Sequence, residues 1–433
     1  MNKSDSRTAK IRQLARSDET QARIELVGLL AELFQIEATD LAINHDQYSL
    51  NSLNGFFETK EGSFFFKFHQ EEGEEDMVGE YYRADILANA NLPVDKPVYV
   101  SNLPGEQILV YRRSNNPRFS DVLRELDFSD DTNAQRIAVA AEGELNAKLL
   151  QVCRKTLHPI TSDEACSEPI HHLFFERMVD PKSGVIPGGR YENFYVGKTF
   201  KFPGVTLTWE EFSNAKLVLN GVRYRRTISE LFDESSQRLN PVNLAGSGGV
   251  VAHGDAHNAN VWFEKQTDSA RLSFFDPAFA GYHIPSLLAE VKATFHNVMA
   301  HPLWLYEPDQ AAEKFTASSS YNDGVLCIDT NWKMSSVRKQ LLDVKANVFW
   351  EPFLAILAER DLLPDDWETE IRLALFLCPT LVMNLRANAD RHNEISSAIG
   401  FLVAATAGST PETGEDLVSE FFQKIAPRDA VKN

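Results

Sequence analysis

The sequence predicts an α+β protein, with a small antiparallel sheet early in the chain and a larger, mainly helical part after it. Three observations carry this. The runs Tyr48 to Thr59 and Phe64-Phe65-Phe66-Lys67-Phe68 flank a turn at Lys60 to Ser63 and read as paired strands. Glu106 to Tyr111 reads as a further strand after the turn Pro104-Gly105. Beyond Ser286 the apolar residues recur at helical spacing, over about 286–300, 310–316, 334–360, 366–388 and 390–406.

Taken in order, residues 1–18 are polar and are expected to form a flexible N-terminus. Ile24, Val27, Leu30, Leu33 and Phe34 then mark an amphipathic helix over about 19–36. On the next strands Phe64, Phe66 and Phe68 share one face, and Phe65 and Lys67 the other. An acidic loop (Glu71 to Asp76) leads to a helix expected from Val78 to Asn89. Its Glu80, Ala84 and Leu87 share a face, which could turn Glu80 toward Lys67; Glu74 and Glu75, in the acidic loop, are the alternatives. Lys96 to Val100 is a strand, and the polar, turn-rich Arg112 to Pro117 divides an N-terminal part, 19–112, from a C-terminal part, 113–433.

Phe119 to Leu126 is a short helix and Thr132 to Thr156 a long one. His171 and His172, on a helix expected from Pro169 to Met178, point to different faces and read as structural. Residues 181–249 hold an aromatic-rich insert with a type I′ hairpin at Asn220-Gly221 and a capping box, Thr227 to Glu230, that starts another helix. Arg190, Arg223, Arg225 and Arg226 there either contact an anionic group of a substrate or are solvated. Trp332, Trp350 and Trp367 are expected to pack the helical part, and the carboxylates from Asp365 to Glu370 suit a helix start or the attraction of a cation. One short helix is expected in the tail, around 415–425.

Composition narrows the function. The 433 residues leave room for two domains, and 43% apolar with 24% charged is ordinary for a globular protein. A net charge of −19 disfavours nucleic acid and anionic membranes as partners. Cys153, Cys166, Cys327 and Cys378 are scattered, which fits neither a zinc knuckle nor a disulfide scaffold and suits a reducing, cytoplasmic setting. The opening residues lack the apolar core of a signal peptide, and no apolar run reaches the roughly 18 residues of a membrane span.

The chemistry is concentrated between Gly248 and Gly281. Val250-Val251-Ala252 leads to His253-Gly254-Asp255-Ala256-His257-Asn258-Ala259-Asn260. Val261-Trp262-Phe263 and Leu272-Ser273-Phe274-Phe275 then pair as a hairpin that ends at Asp276-Pro277. Antiparallel pairing brings the two hairpin ends together, so Asp255, Asn260 and Asp276 converge. Two carboxylates and an amide suit Mg²⁺, a hard cation held through oxygen together with waters and substrate phosphates. This is the parts list of phosphoryl transfer: a base carboxylate, an amide five residues later and a second metal-binding carboxylate.

His253-Gly254-Asp255 with Asn260, and Phe275-Asp276-Pro277-Ala278, resemble the catalytic and metal loops of the aminoglycoside phosphotransferase and choline kinase superfamily, the latter loop in its fructosamine-kinase-like form. The resemblance covers about residues 48–300 and implies a protein-kinase-like, two-lobe fold with ATP (GTP not excluded) and Mg²⁺ as cofactors. It implies transfer of the γ-phosphate to a hydroxyl of a small molecule: an amino alcohol, sugar, amino sugar or aminoglycoside. Asp255 would be the base, Asn260 and Asp276 the metal ligands, and Lys67 the phosphate-holding lysine paired with Glu80. Val110, Tyr111 and Arg112 would form the hinge that meets the adenine, with His253 and His257 supporting the loop. A Gly-x-Gly-x-x-Gly loop is missing. Ser286, expected to cap the next helix, stands near where many members carry an acid. Two rivals are a silent nucleotide-binding protein on the same fold and a metallohydrolase using His253 and His257. The chain is expected to be a monomer or homodimer.

Overall fold

The computed structural model describes residues 6–44, 52–69 and 83–427. Where an irregular start was expected, the structure has a helix, α1 (Arg7–Ser17), capped by Ser6 and followed by α2 (Glu19–Phe34), capped by Asp18. A single apolar stripe is too little to hold so polar a helix in isolation. Docking supplies the rest: Ile11 is fully buried, and the Thr8 N–H donates to the Gly105 carbonyl at 3.0 Å.

The sheet comprises β1 (Thr39–Ile43), β2 (Ser52–Thr59), β3 (Gly62–His69), β4 (Tyr99–Ser101) and β5 (Ile108–Arg112), antiparallel throughout in the order β1-β2-β3-β5-β4. Phe57, Phe64, Phe66 and Phe68 are buried in one apolar core with Leu26, Leu29 and Leu30 of α2. Lys67 therefore stands on the opposite face, as the alternation of side chains along a strand requires. Of the helix expected from Val78 to Asn89, Arg83–Asn89 (α3) falls within the described residues, and Glu80 lies outside them. Ile86 and Leu87 of α3 join the core of the larger part, although they precede the Arg112 boundary.

The larger part is built around α5 (Thr132–Thr156), preceded by α4 (Phe119–Leu126). The expected Pro169–Met178 helix is instead two 3₁₀ turns, Pro169–Leu173 and Phe175–Met178, with buried His171 bonded to the Ala165 carbonyl at 2.7 Å. In the insert come β6 (Phe200–Phe202), β7 (Val205–Leu207), β8 (Lys216–Leu219) and β9 (Val222–Arg223). The β8–β9 turn has Asn220 and Gly221 at φ +47° and +80°, the type I′ geometry expected. Next are β10 (Gly249–Ala252), β11 (Val261–Lys265), β12 (Ala270–Phe274) and β13 (Gly281–Pro285).

Helices follow at Ser336–Val344, Glu351–Glu359, Trp367–Val382, Glu394–Gly408 and Leu417–Ile425, close to the expected spans. Two segments depart from plain α-helix, with π turns at Phe295–Met299 and Lys345–Trp350. Ser286 does not cap a helix; it is buried, and its hydroxyl donates to the Ser247 carbonyl at 2.7 Å. An unforeseen hairpin, β14 (Ala317–Asn322) and β15 (Val325–Thr330), completes a four-stranded sheet in the order β14-β15-β8-β9, in which β15 runs parallel to β8. Among the described residues no helix is long and apolar enough to cross a membrane.

Candidate active site

Two antiparallel pairs hold the loop 253–260. Pairing of β10 with β13 sets where the loop begins. Pairing of β11 with β12, with Val261 opposite Phe274, sets where it ends. That register places Asn260 beside Phe275, whose N–H donates to the Asn260 carbonyl at 3.0 Å. Gly254 turns the chain with φ +75°, and a Cβ there would lie 2.3 Å from the Phe279 carbonyl oxygen, so a side chain is excluded.

His253 is fully buried and joins the two loops. Its Nε2 donates to the Phe275 carbonyl at 3.0 Å while Nδ1 accepts the Asp255 N–H at 3.3 Å. With both ring nitrogens engaged, His253 cannot also bind a metal, and the metallohydrolase reading loses its pair. His257 caps the short turn Asn258–Asn260: its Nδ1 accepts from the Ala259 N–H at 3.2 Å, which leaves Nε2–H facing Asp255 Oδ2 at 3.5 Å.

The Asn260 amide nitrogen donates to the Asp255 carbonyl at 3.0 Å, so its oxygen is the atom left to offer a ligand. Asp276 follows β12 at φ +53°, a left-handed conformation that aspartate tolerates better than most residues and that concentrates at functional sites. From the far side, Lys67 of β3 reaches across and its ammonium contacts Asp276 Oδ1. The sheet and the helical part thus meet at the expected cluster. A carboxylate and an amide oxygen are hard donors, and this set fits Mg²⁺ better than a soft or borderline metal.

Val110, Tyr111 and Arg112 lie in β5. The Val110 carbonyl accepts the Val98 N–H at 2.7 Å, Tyr111 packs on Phe65 with ring centroids 6.4 Å apart, and the Arg112 guanidinium lies 5.7 Å from the Phe64 ring. In the insert, Arg226 pairs with Glu234 at 2.8 Å, Arg225 donates to the Pro411 carbonyl at 3.4 Å and Arg223 lies 3.9 Å from Glu412. Arg223 and Arg225 are exposed, as the solvated alternative expects, and all three arginines make contacts within the fold. Arg190 donates to the Leu381 carbonyl at 3.0 Å, at the end of the Trp367–Val382 helix. The acids from Asp366 to Glu370 meet arginines: Arg238 lies 2.5 Å from Asp366 and 2.6 Å from Glu370, and Arg372 lies 2.6 Å from Glu368.

Sequence reasoning missed Lys292 and His296. Lys292 is buried, with Nζ 3.8 Å from Asp255 Oδ1 and 3.3 Å from His296 Nε2. Burial alone would raise the Asp255 carboxyl, but His257 and Lys292 beside it hold it well below the usual carboxylate range. Burial and the neighbouring Lys292 keep His296 neutral. The available signal was the lysine at the fourth position before a histidine in Val291-Lys292-Ala293-Thr294-Phe295-His296, an otherwise apolar run.

A second layer supports the loop. Asn297 Oδ1 accepts the Asn258 N–H at 2.8 Å, and its amide donates to Glu142 Oε1 at 3.2 Å. Lys345 lies 3.1 Å from Glu142 and 2.9 Å from Glu290, all three buried. A cavity of about 30 Å³ borders the loop at His257 and His296. The larger hollow, about 440 Å³ around Arg238 and Asp366, touches none of these side chains.

No family model matches the chain, and no curated protein matches it. Solved structures do. An ethanolamine kinase from Plasmodium vivax is 12% identical, with 94% of this chain and 95% of that one covered and a TM-score of 0.42. A type I macrolide 2′-phosphotransferase is 11% identical over 84% and 90% of the two chains, with a TM-score of 0.36. A spectinomycin phosphotransferase in complex with ADP and spectinomycin is 10% identical over 87% and 97%, with a TM-score of 0.37.

Proposed function

We propose that the chain is an ATP-dependent phosphotransferase that moves the γ-phosphate to a hydroxyl of a small molecule. The observation that carries this is the contact of Lys67, from the sheet, with Asp276, at the end of the hairpin whose other end carries Asn260 and Asp255. Asp255 orients the acceptor hydroxyl and takes its proton, and its Oδ1 is buried with no hydrogen-bond partner among the described residues. Asn260 and Asp276 would hold Mg²⁺, which neutralises charge on the phosphates when bound. Lys67 adds a fixed positive charge for the nucleotide phosphates, and Glu80 is assigned as its partner on sequence grounds. Val110 to Arg112 are assigned to the adenine side on the same grounds. His253 and His257 fix the loop and take no proton from substrate.

The test is release of ADP by the purified chain with Mg²⁺ and ATP, or GTP, against a panel of amino alcohols, sugars, amino sugars and aminoglycosides. Acceptor-dependent release that chelation of Mg²⁺ abolishes is expected. A chain that is stabilised by Mg²⁺·ATP but transfers no phosphate would instead be the silent nucleotide-binding protein.

A further inference from the structure

We propose that Lys292 is a second catalytic residue, whose ammonium holds the oxygen of the same acceptor hydroxyl that Asp255 activates. This rests on the phosphotransfer reading above. The argument is one of two incomplete partners. Lys292 has 3% of its surface exposed and carries three donors. One goes to His296 Nε2, at 3.3 Å. Among the described residues its only carboxylate neighbour, Asp255 Oδ1, is 3.8 Å away, against about 2.7–2.9 Å for a charge-assisted hydrogen bond. Oδ1 itself is buried and accepts no hydrogen bond from the described residues.

A lysine present only to neutralise a buried carboxylate would close that gap. Buried ions are tolerated when geometry is tight and every donor is used. Two atoms 3.8 Å apart can instead share a third atom, at hydrogen-bond distance from both. Oδ1 has no exposed surface in this structure, so the side chains of Asp255 and Lys292 must turn apart to admit an alcohol oxygen, whose O–H then donates to Oδ1 while one of its lone pairs accepts from Lys292. The second lone pair is then left to face phosphorus, so the rotor of the hydroxyl is fixed before reaction.

In the transfer step the oxygen–phosphorus bond forms as the O–H bond breaks, and the proton passes to Asp255 Oδ1. The bond from the γ-phosphorus to the β–γ bridging oxygen breaks, and its electron pair leaves with ADP. Lys292 stays protonated throughout. His296, neutral and held within the π turn Phe295–Met299, aims the lysine by accepting one of its donors.

Lys292→Met keeps the length of the side chain and removes the donors. In ADP release with Mg²⁺, ATP and a working acceptor it should lose about 100-fold in kcat, the scale of a lost positioning contact, with the KM for ATP unchanged. Lys292→Arg should recover part of the loss. A Lys292→Met enzyme with the parent's kcat would overturn the proposal. A second measurement needs no acceptor: thermal melting of Asp255→Asn, Lys292→Met and the double variant. Asp255→Asn strands the lysine without a counter-charge, so the double variant should melt above Asp255→Asn alone. Additive losses would mean that the two groups do not face one point, and would overturn the proposal. If the unaltered chain transfers phosphate to nothing, the phosphotransfer reading fails, and the melting cycle still decides whether Lys292 faces Asp255.

Discussion

In the proposed reaction Asp255 concentrates the chemistry in one side chain whose two oxygens have different surroundings. Oδ2 faces His257 at 3.5 Å, and Oδ1 faces Lys292 across a longer gap. Asp255→Asn keeps the shape and removes the base, so turnover should fall by about 10²–10⁴ while Mg²⁺·ATP still raises the melting temperature. Unchanged turnover would rule out the assignment. Gly281 is a different kind of fixed point. A Cβ there would lie 1.7 Å from the Oε2 of buried Glu168, whose Oε1 accepts the His283 N–H at 2.7 Å. Gly281→Ala should therefore cost about 1–3 kcal/mol by overpacking, read from the urea midpoint.

At the scale of elements, the loop's support runs through three of them. Lys345, in the π turn after Ser336–Val344, lies between Glu142 of α5 and Glu290. Lys345→Met would leave two buried carboxylates without a cation, and a loss of about 3–5 kcal/mol is expected in chemical denaturation. A loss under about 1 kcal/mol would mean that the carboxylates relax to water.

The same scale shows what the chain's order of residues could reveal. The β11–β12 hairpin and its loop were legible because turn chemistry and alternation are local signals, and they alone bring Asn260 beside Phe275. Lys67 stood out only with the distal motif in view, because a lone lysine on a strand is ordinarily solvated. Lys292 was not legible, because a lysine on a helix is ordinarily solvated, and only tertiary packing buries this one. The hairpin Ala317–Thr330 escaped because its first strand, Ala317–Asn322, is mostly polar and half exposed along its length. Its turn at Asn322-Asp323-Gly324 was the available clue. Parallel pairing with β8, more than a hundred residues earlier, leaves no trace in either segment.

For the whole molecule, acid should be the weak flank. Burial pulls His301 and His392 down to about 4 and holds both rings neutral. In the unfolded chain each takes up a proton near pH 6.5. Between pH 6.5 and 4 the unfolded state therefore binds more protons. The stability these rings contribute is fully present above about pH 6.5 and is lost as pH falls toward 4. The urea midpoint should drop across that window, and His392→Asn should flatten the drop; a slope unchanged by the substitution would remove His392 from the account.

Under the proposed function, the sheet shared by β8 and β15 constrains how this molecule would tell one acceptor from another. The segment 181–249 is laced both to Val325–Thr330 and, through the Tyr224 hydroxyl bonded to Asp416 at 2.8 Å, to the far end of the chain. A flap hinged at its two ends could swing shut over a visitor, but a strand stitched on both sides cannot lift without tearing a ladder of hydrogen bonds. Whatever selectivity this segment confers is thus cast into its walls beforehand, and poor visitors are refused by shape at the door.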